Sequence, residues 1–264
     1  MTHRLVPSLR RASIIIVAAA APSLAQTGGG GDFHWTGSIA TGSHVSVSNV
    51  NGDIHITSSG TGRAEVTGTK RGSGGDLLRA NVEQTSRGLT ICVLYDDDTS
   101  CNDRGSRSHN HNWNNASVTL DVSLPASVEV SVSSVSGDVR LSGAQGNVEA
   151  STVSGDLHLD KLNATSIRAN SVSGDILVQA DQLASSGDLS FHSVSGDITL
   201  EMPRQFDADV SMSTVSGGMD SDYQLTLATG RSSRRSLNAR IGNGGRRLEL
   251  STVSGDVKLR MGSR

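Results

Sequence analysis

Residues 135–141 read Val-Ser-Gly-Asp-Val-Arg-Leu, and the phrase returns as Val-Ser-Gly-Asp-Leu-His-Leu at 153–159 and Val-Ser-Gly-Asp-Ile-Leu-Val at 172–178. Two more copies, Val-Ser-Gly-Asp-Ile-Thr-Leu and Val-Ser-Gly-Asp-Val-Lys-Leu, occupy 194–200 and 253–259. Two degenerate copies join them: Gly218 replaces the Asp after Val215, Ser216 and Gly217, and Asn51 replaces the Ser ahead of Gly52 and Asp53. Gly137, Gly155, Gly174, Gly196, Gly217 and Gly255 stand 18, 19, 22, 21 and 38 residues apart, the last step read as two periods. A period near twenty residues is the mark of stacked coils.

Each copy reads as strand, corner, strand. Glycine supplies the positive φ of a tight bend, while Ser and Asp side chains accept hydrogen bonds from backbone N–H groups left open there. After the corner, apolar residues alternate with polar ones, as in Leu157 and Leu159 or Ile176 and Val178. That period of two aims one stripe inward. No coil buries its own stripe, so stacking at about 4.8 Å must supply the partner. Weaker punctuation recurs half a period on, at Gly146 with Asn147 and at Gly187 with Asp188. A parallel β-helix of ~20-residue rungs follows, all-β, with a less regular antiparallel N-terminal part. The alternative is an antiparallel meander or sandwich, in which every Ser-Gly is a hairpin turn.

Composition agrees with β structure. Of 264 residues, 30 are Gly and only 3% are aromatic, which disfavours helical bundles and aromatic-lined clefts. With 23 basic and 26 acidic residues the net charge is −3, a poor match to nucleic acid. Residues 1–25 carry Arg4, Arg10 and Arg11, then an apolar run from Ala12 to Ala21, then Pro22, Ser23, Leu24 and Ala25. That order reads as a secretory signal peptide cut near Ala25, because about ten apolar residues are too few for a permanent span. Export makes a disulfide the default for Cys92 and Cys101, which have eight residues between them. No transmembrane segment is expected after cleavage.

Residues 26–32 form a Gly-rich linker, and 33–264 are read as one solenoid domain. Within it, 57–127 are an irregular insertion or N-terminal strands, and 128–260 are the regular repeats. Strand candidates in the irregular part lie near 64–69, 80–84, 89–95 and 117–124. A further excursion over 228–247 is rich in arginine.

The repeated phrase resembles the bacterial putative-adhesin family, domains of unknown function with T-x-S-G-D-hydrophobic units. The matching copies begin at Thr152, Thr214 and Thr252, with Ser134, Ser171 and Ser193 in the Thr position. The stretch from Val118 to Pro125 looks like that family's strand and Leu-Pro entry into its repeats. The resemblance covers about residues 40–260 and implies an exported β-helix-like domain with no catalytic residues to carry over.

Three sets of residues invite chemistry. Asp138, Asp156, Asp175 and Asp197, with Asp256, would fall on one edge of the stack, where like charges ~4.8 Å apart repel by about 0.9 kcal/mol in water. Calcium or backbone N–H groups would offset that repulsion, and corner capping is the preferred reading. His109 and His111 have the spacing of a metal pair on a strand but sit in an Asn-rich stretch that reads as a solvated loop. Arg231, Arg234, Arg235, Arg240, Arg246 and Arg247 are a candidate anion-binding set. The glycines at 52, 137, 155, 174, 196, 217 and 255 are structural corners.

Motifs for nucleophile elbows, phosphate loops, zinc proteases and dinucleotide sites are missing from the sequence. The expectation is therefore a non-catalytic, cofactor-free, adhesin-like surface protein of the periplasm or cell surface. Its partner would be an envelope or extracellular protein or anionic glycan. The alternatives are a polysaccharide-active enzyme on a β-helix and an accessory protein of an envelope sensor. The last copy ends at Leu259, leaving little chain for a cap, so self-association through the solenoid ends is a further expectation.

Overall fold

A computed structural model describes residues 32–75, 78–95, 101, 116–183, 186–227 and 232–262. Residues 1–25, read above as a signal peptide, and all of the 26–32 stretch but Asp32 lie outside them. The first strands are β1 (Phe33–Ser38), β2 (His44–Asn51), β3 (Ile54–Ser59), β4 (Arg63–Arg71), β5 (Leu78–Thr85), β6 (Gly88–Tyr95) and β7 (Ser117–Pro125). The repeats follow as β8 (Glu129–Ser136), β9 (Val139–Ser142), β10 (Val148–Ser154), β11 (Leu157–Leu162), β12 (Ile167–Ser173), β13 (Ile176–Ala180), β14 (Leu189–Ser195) and β15 (Ile198–Met202). The chain closes with β16 (Ala208–Ser216), β17 (Met219–Ser221), β18 (Thr226–Leu227), β19 (Ser236–Ile241), β20 (Arg247–Ser254) and β21 (Val257–Met261).

Two sheets result, of eleven and ten strands. Every Val-Ser-Gly-Asp or Val-Ser-Gly-Gly corner carries the chain from a strand of the first sheet to a strand of the second, so the fold is an all-β solenoid. In the eleven-stranded sheet, Val130, Val148, Ile167, Leu189, Leu248 and Val210 stand side by side in parallel register. In the other sheet, Ile54, Val139, Leu157, Ile176, Ile198 and Val257 do the same. All twelve are buried. Stacking gives each side chain the like-shaped neighbours that its own rung lacks, at about 1.5–3 kcal/mol per buried aliphatic group.

Stack order departs from chain order at both ends. The rungs run β6 with β7, β2 with β3, β8 with β9, β10 with β11, β12 with β13, β14 with β15, β20 with β21, and finally β16 with β17. The last copy in the sequence is thus the penultimate rung in space. The 38-residue step from Gly217 to Gly255, read above as two periods, holds instead β19, which folds back antiparallel on β16, and β18, which lies antiparallel on β19. At the opposite end β5 lies antiparallel on β6, and β4 and β1 follow antiparallel beyond β7.

The premise that the chain runs out before it can make a cap is therefore corrected: the solenoid is closed by strands from earlier in the sequence. Tyr223 helps close it. Its ring packs on Phe206 with centroids 6.0 Å apart, and its hydroxyl donates to the Met202 carbonyl at 2.7 Å.

Candidate functional site

The corners are built from one repeated bond. The amide of Asp138 donates to Asp53 Oδ1 at 2.9 Å, that of Asp156 to Asp138 Oδ1 at 3.0 Å, and that of Asp175 to Asp156 Oδ1 at 2.8 Å. Asp197 donates in turn to Asp175, and Asp256 to Asp197, each at 2.8 Å. The file ends where Gly218 donates its N–H to Asp256 Oδ1 at 2.8 Å. Each carboxylate serves the following rung, so the degenerate copy is explained: Gly218 lies in the last rung and has no further amide to receive.

The other degenerate copy is adapted to its neighbour as well. Asn49 Nδ2 donates to the carbonyls of Gly52 and Val118, and Asn51 Nδ2 to that of Ala116, reaching toward β7, which no Ser-Gly-Asp corner precedes. Gly52, Gly137, Gly155, Gly174, Gly196, Gly217 and Gly255 all hold φ between 114° and 155°. At Gly155 a Cβ would also overlap the Gly137 carbonyl of the rung beneath, so the position excludes side chains on two counts.

The second carboxylate oxygens carry the charge contacts. Asp138 Oδ2 pairs with Arg140 at 3.0 Å, and Lys258 bridges Asp197 at 2.8 Å and Asp256 at 3.5 Å. The Lys258 bond, followed by the Asp256 amide, holds the Asp197 carboxyl below the usual range. The same bond raises Lys258. Among the described residues no group of three or more His, Cys, Asp and Glu side chains is gathered to hold a metal. His109 and His111 lie outside those residues.

The described arginines of the set differ in surroundings. Arg231 lies outside the described residues, and Arg234 and Arg235 are exposed. Arg240 pairs with Asp209 at 2.8 Å and Arg247 with Glu249 at 2.9 Å. Arg246 is buried at 5% exposure, donates to the Ser186 carbonyl at 3.3 Å and is lowered by desolvation. Around them the crossover from β19 to β20 is fastened to the start of β16. Asp207 accepts from the amide and side chain of Asn243, while Asp209 accepts from Arg240 and the Gly245 amide. Cys92 and Cys101 lie at disulfide distance, with Cα atoms 6.0 Å apart.

What the sequence reading missed lies on the outer face of the eleven-stranded sheet. Val135, Val153, Val172, Val194, Val253 and Val215 are 47–56% exposed and form one file. They account for six of the eight large apolar side chains exposed among the described residues, the others being Leu227 and Met261. Beside the file run Ser133, Ser151, Asn170, His192, Ser251 and Ser213 in continuous register. Between the two files lies a groove of about 370 Å³ over the rungs of β2, β8, β10 and β12. Counting parity back from Leu157 would turn Val153 inward. The corner resets the alternation, so only parity counted forward from Val148 places it outside.

The family comparison matches residues 27–260 to Toastrack DUF4097. The chain belongs to that family. Among curated proteins none matches. The Toastrack chain is similar to the solved structure of a putative cell adhesion protein from Clostridium sporogenes, at 9% identity and TM-score 0.48, over 88% of this chain and 100% of that one. It is also similar to a putative adhesin from Bacteroides fragilis, at 14% identity and TM-score 0.42, over 86% of this chain and 96% of that one. In this Toastrack domain the aspartates singled out by sequence are brought together as a ladder, whereas of the arginines Arg240 and Arg247 lie on either side of Asp209 and each is paired with a carboxylate.

Proposed function

We propose that the protein is an exported, non-catalytic Toastrack solenoid that serves as a rigid, adhesin-like binding surface of the bacterial envelope, with 33–264 acting as one domain. The Asp ladder carries this reading. The acidic residues most suggestive of chemistry each spend Oδ1 on the amide of the next rung, which makes them structural acceptors and poor general acids or bases.

Export is supported by two independent features: the basic, apolar and small-residue order of residues 1–25, and a cysteine pair at disulfide distance, which suits an oxidising compartment. The partner is an envelope or extracellular protein or glycan. Cell fractionation combined with a glycan-degradation screen tests the proposal. The protein should appear in the periplasmic or surface fraction with its first 25 residues removed, and turn over no glycan; cytoplasmic retention or product release would overturn it.

A further inference from the structure

We propose that the outer face of the eleven-stranded sheet pairs two copies of this chain face to face, through the valine file, about a twofold axis parallel to the strands. The axis passes between the rungs of β10 and β12. This goes beyond the envelope-surface reading and stands whether or not that reading holds.

Contiguous exposed apolar surface on a soluble domain marks an interaction site. Here that surface is a straight file with the neutral serine file at its side. Its central part, from Val135 to Val194, is free of charge in both files except for His192. One column further along the strands the face carries Glu149 and Arg168, directly opposite each other in adjacent rungs. Both are exposed, and neither makes an ion pair among the described residues.

The symmetry decides the partner. A twofold axis between these two rungs brings Val153 onto Val172 of the second copy and Val135 onto Val194 of the second copy. The same operation sets Glu149 against Arg168 of the second copy, twice over. An isologous surface must be complementary to itself, and this one matches itself in apolar character along the valine file and in charge sign at Glu149 and Arg168.

Size fits as well. Six rungs at ~4.8 Å and three files at ~6.7 Å cover roughly 580 Å² per copy, so about 1,150 Å² in total, at the lower edge of specific interfaces. The association is accordingly reversible.

Sedimentation equilibrium of the purified protein tests the proposal. The expected result is a concentration-dependent monomer–dimer equilibrium. Val153→Asp combined with Val172→Asp should abolish the dimer with the melting temperature kept, since both side chains are half exposed. Glu149→Arg should weaken association by more than about tenfold, and adding Arg168→Glu should restore it. A wild-type monomer at every concentration overturns the proposal. So does a dimer that survives the valine changes, as one joined through the solenoid ends would, or a charge swap that fails to restore.

Discussion

At Gly155 the backbone sits at φ 142°, and a Cβ would overlap the carbonyl of Gly137. Gly155→Ala should therefore cost about 2–4 kcal/mol, read as a lowered denaturant midpoint. An unchanged midpoint would show that the corners are not in close contact. Asp156 accepts the Asp175 amide through one oxygen, which an amide oxygen can replace. Asp156→Ala should cost about 1–3 kcal/mol and Asp156→Asn markedly less; equal losses would mean that charge, and not the acceptor, holds the corner. Asp197, Asp209 and Asp222 are all held below the ordinary 3.8, by Lys258, by Arg240 and by the Met261 amide respectively. Their folded forms bind protons less readily than the unfolded chain, so the stability they contribute is complete above that value and lost as pH falls through the lowered ones. Melting temperature should hold steady down to about pH 5 and drop below about pH 4, with a shallower drop in Lys258→Met. An acid limb of the same depth in that variant would remove Lys258 from the explanation.

The strand pairs show which parts of the fold can be seen in the residues alone. Leu157 and Leu159 were expected inward and are buried at 0% and 1%. Leu159→Asp places a carboxylate between Leu141 and Val178 in the second sheet, a change that should prevent folding or lower the melting temperature sharply. Strand positions in the irregular part were also legible: β4 and β7 alternate like any half-buried strand, while β5 and β6 each carry a run of consecutive buried residues. What the residues concealed was adjacency. Near-identical copies stack on one another equally well, so their pattern fixes the geometry of a rung and leaves its neighbours undetermined. One residue did carry the missing information: Gly218, lacking a carboxylate, belongs to the rung beyond which no Ser-Gly-Asp amide waits. The outward valines were hidden for a different reason, since alternation restarts at every corner.

At the scale of the whole molecule, both ends share one design, in which the first and last rungs of the sequence are each enclosed by a rung from further inside the chain. Removing 247–264 would take out β20 and β21, separating β14 from β16 and β15 from β17. That truncation should cost far more than loss of a frayed terminal strand, and circular dichroism with proteolysis should show the region from β16 to β19 unfolded. A protected, fully β-structured product would mean that β16 had closed directly onto β14. The enclosed rung also sets a clock on maturation. A polypeptide delivered from its N-terminus can zip its central coils as they emerge, but the far wall stays ajar until β20 and β21, made after β16 and β17, have slid into the slot between them and the rung of β14 and β15. Arrival of that inserted rung, and not collapse of the middle, is the event that locks this domain.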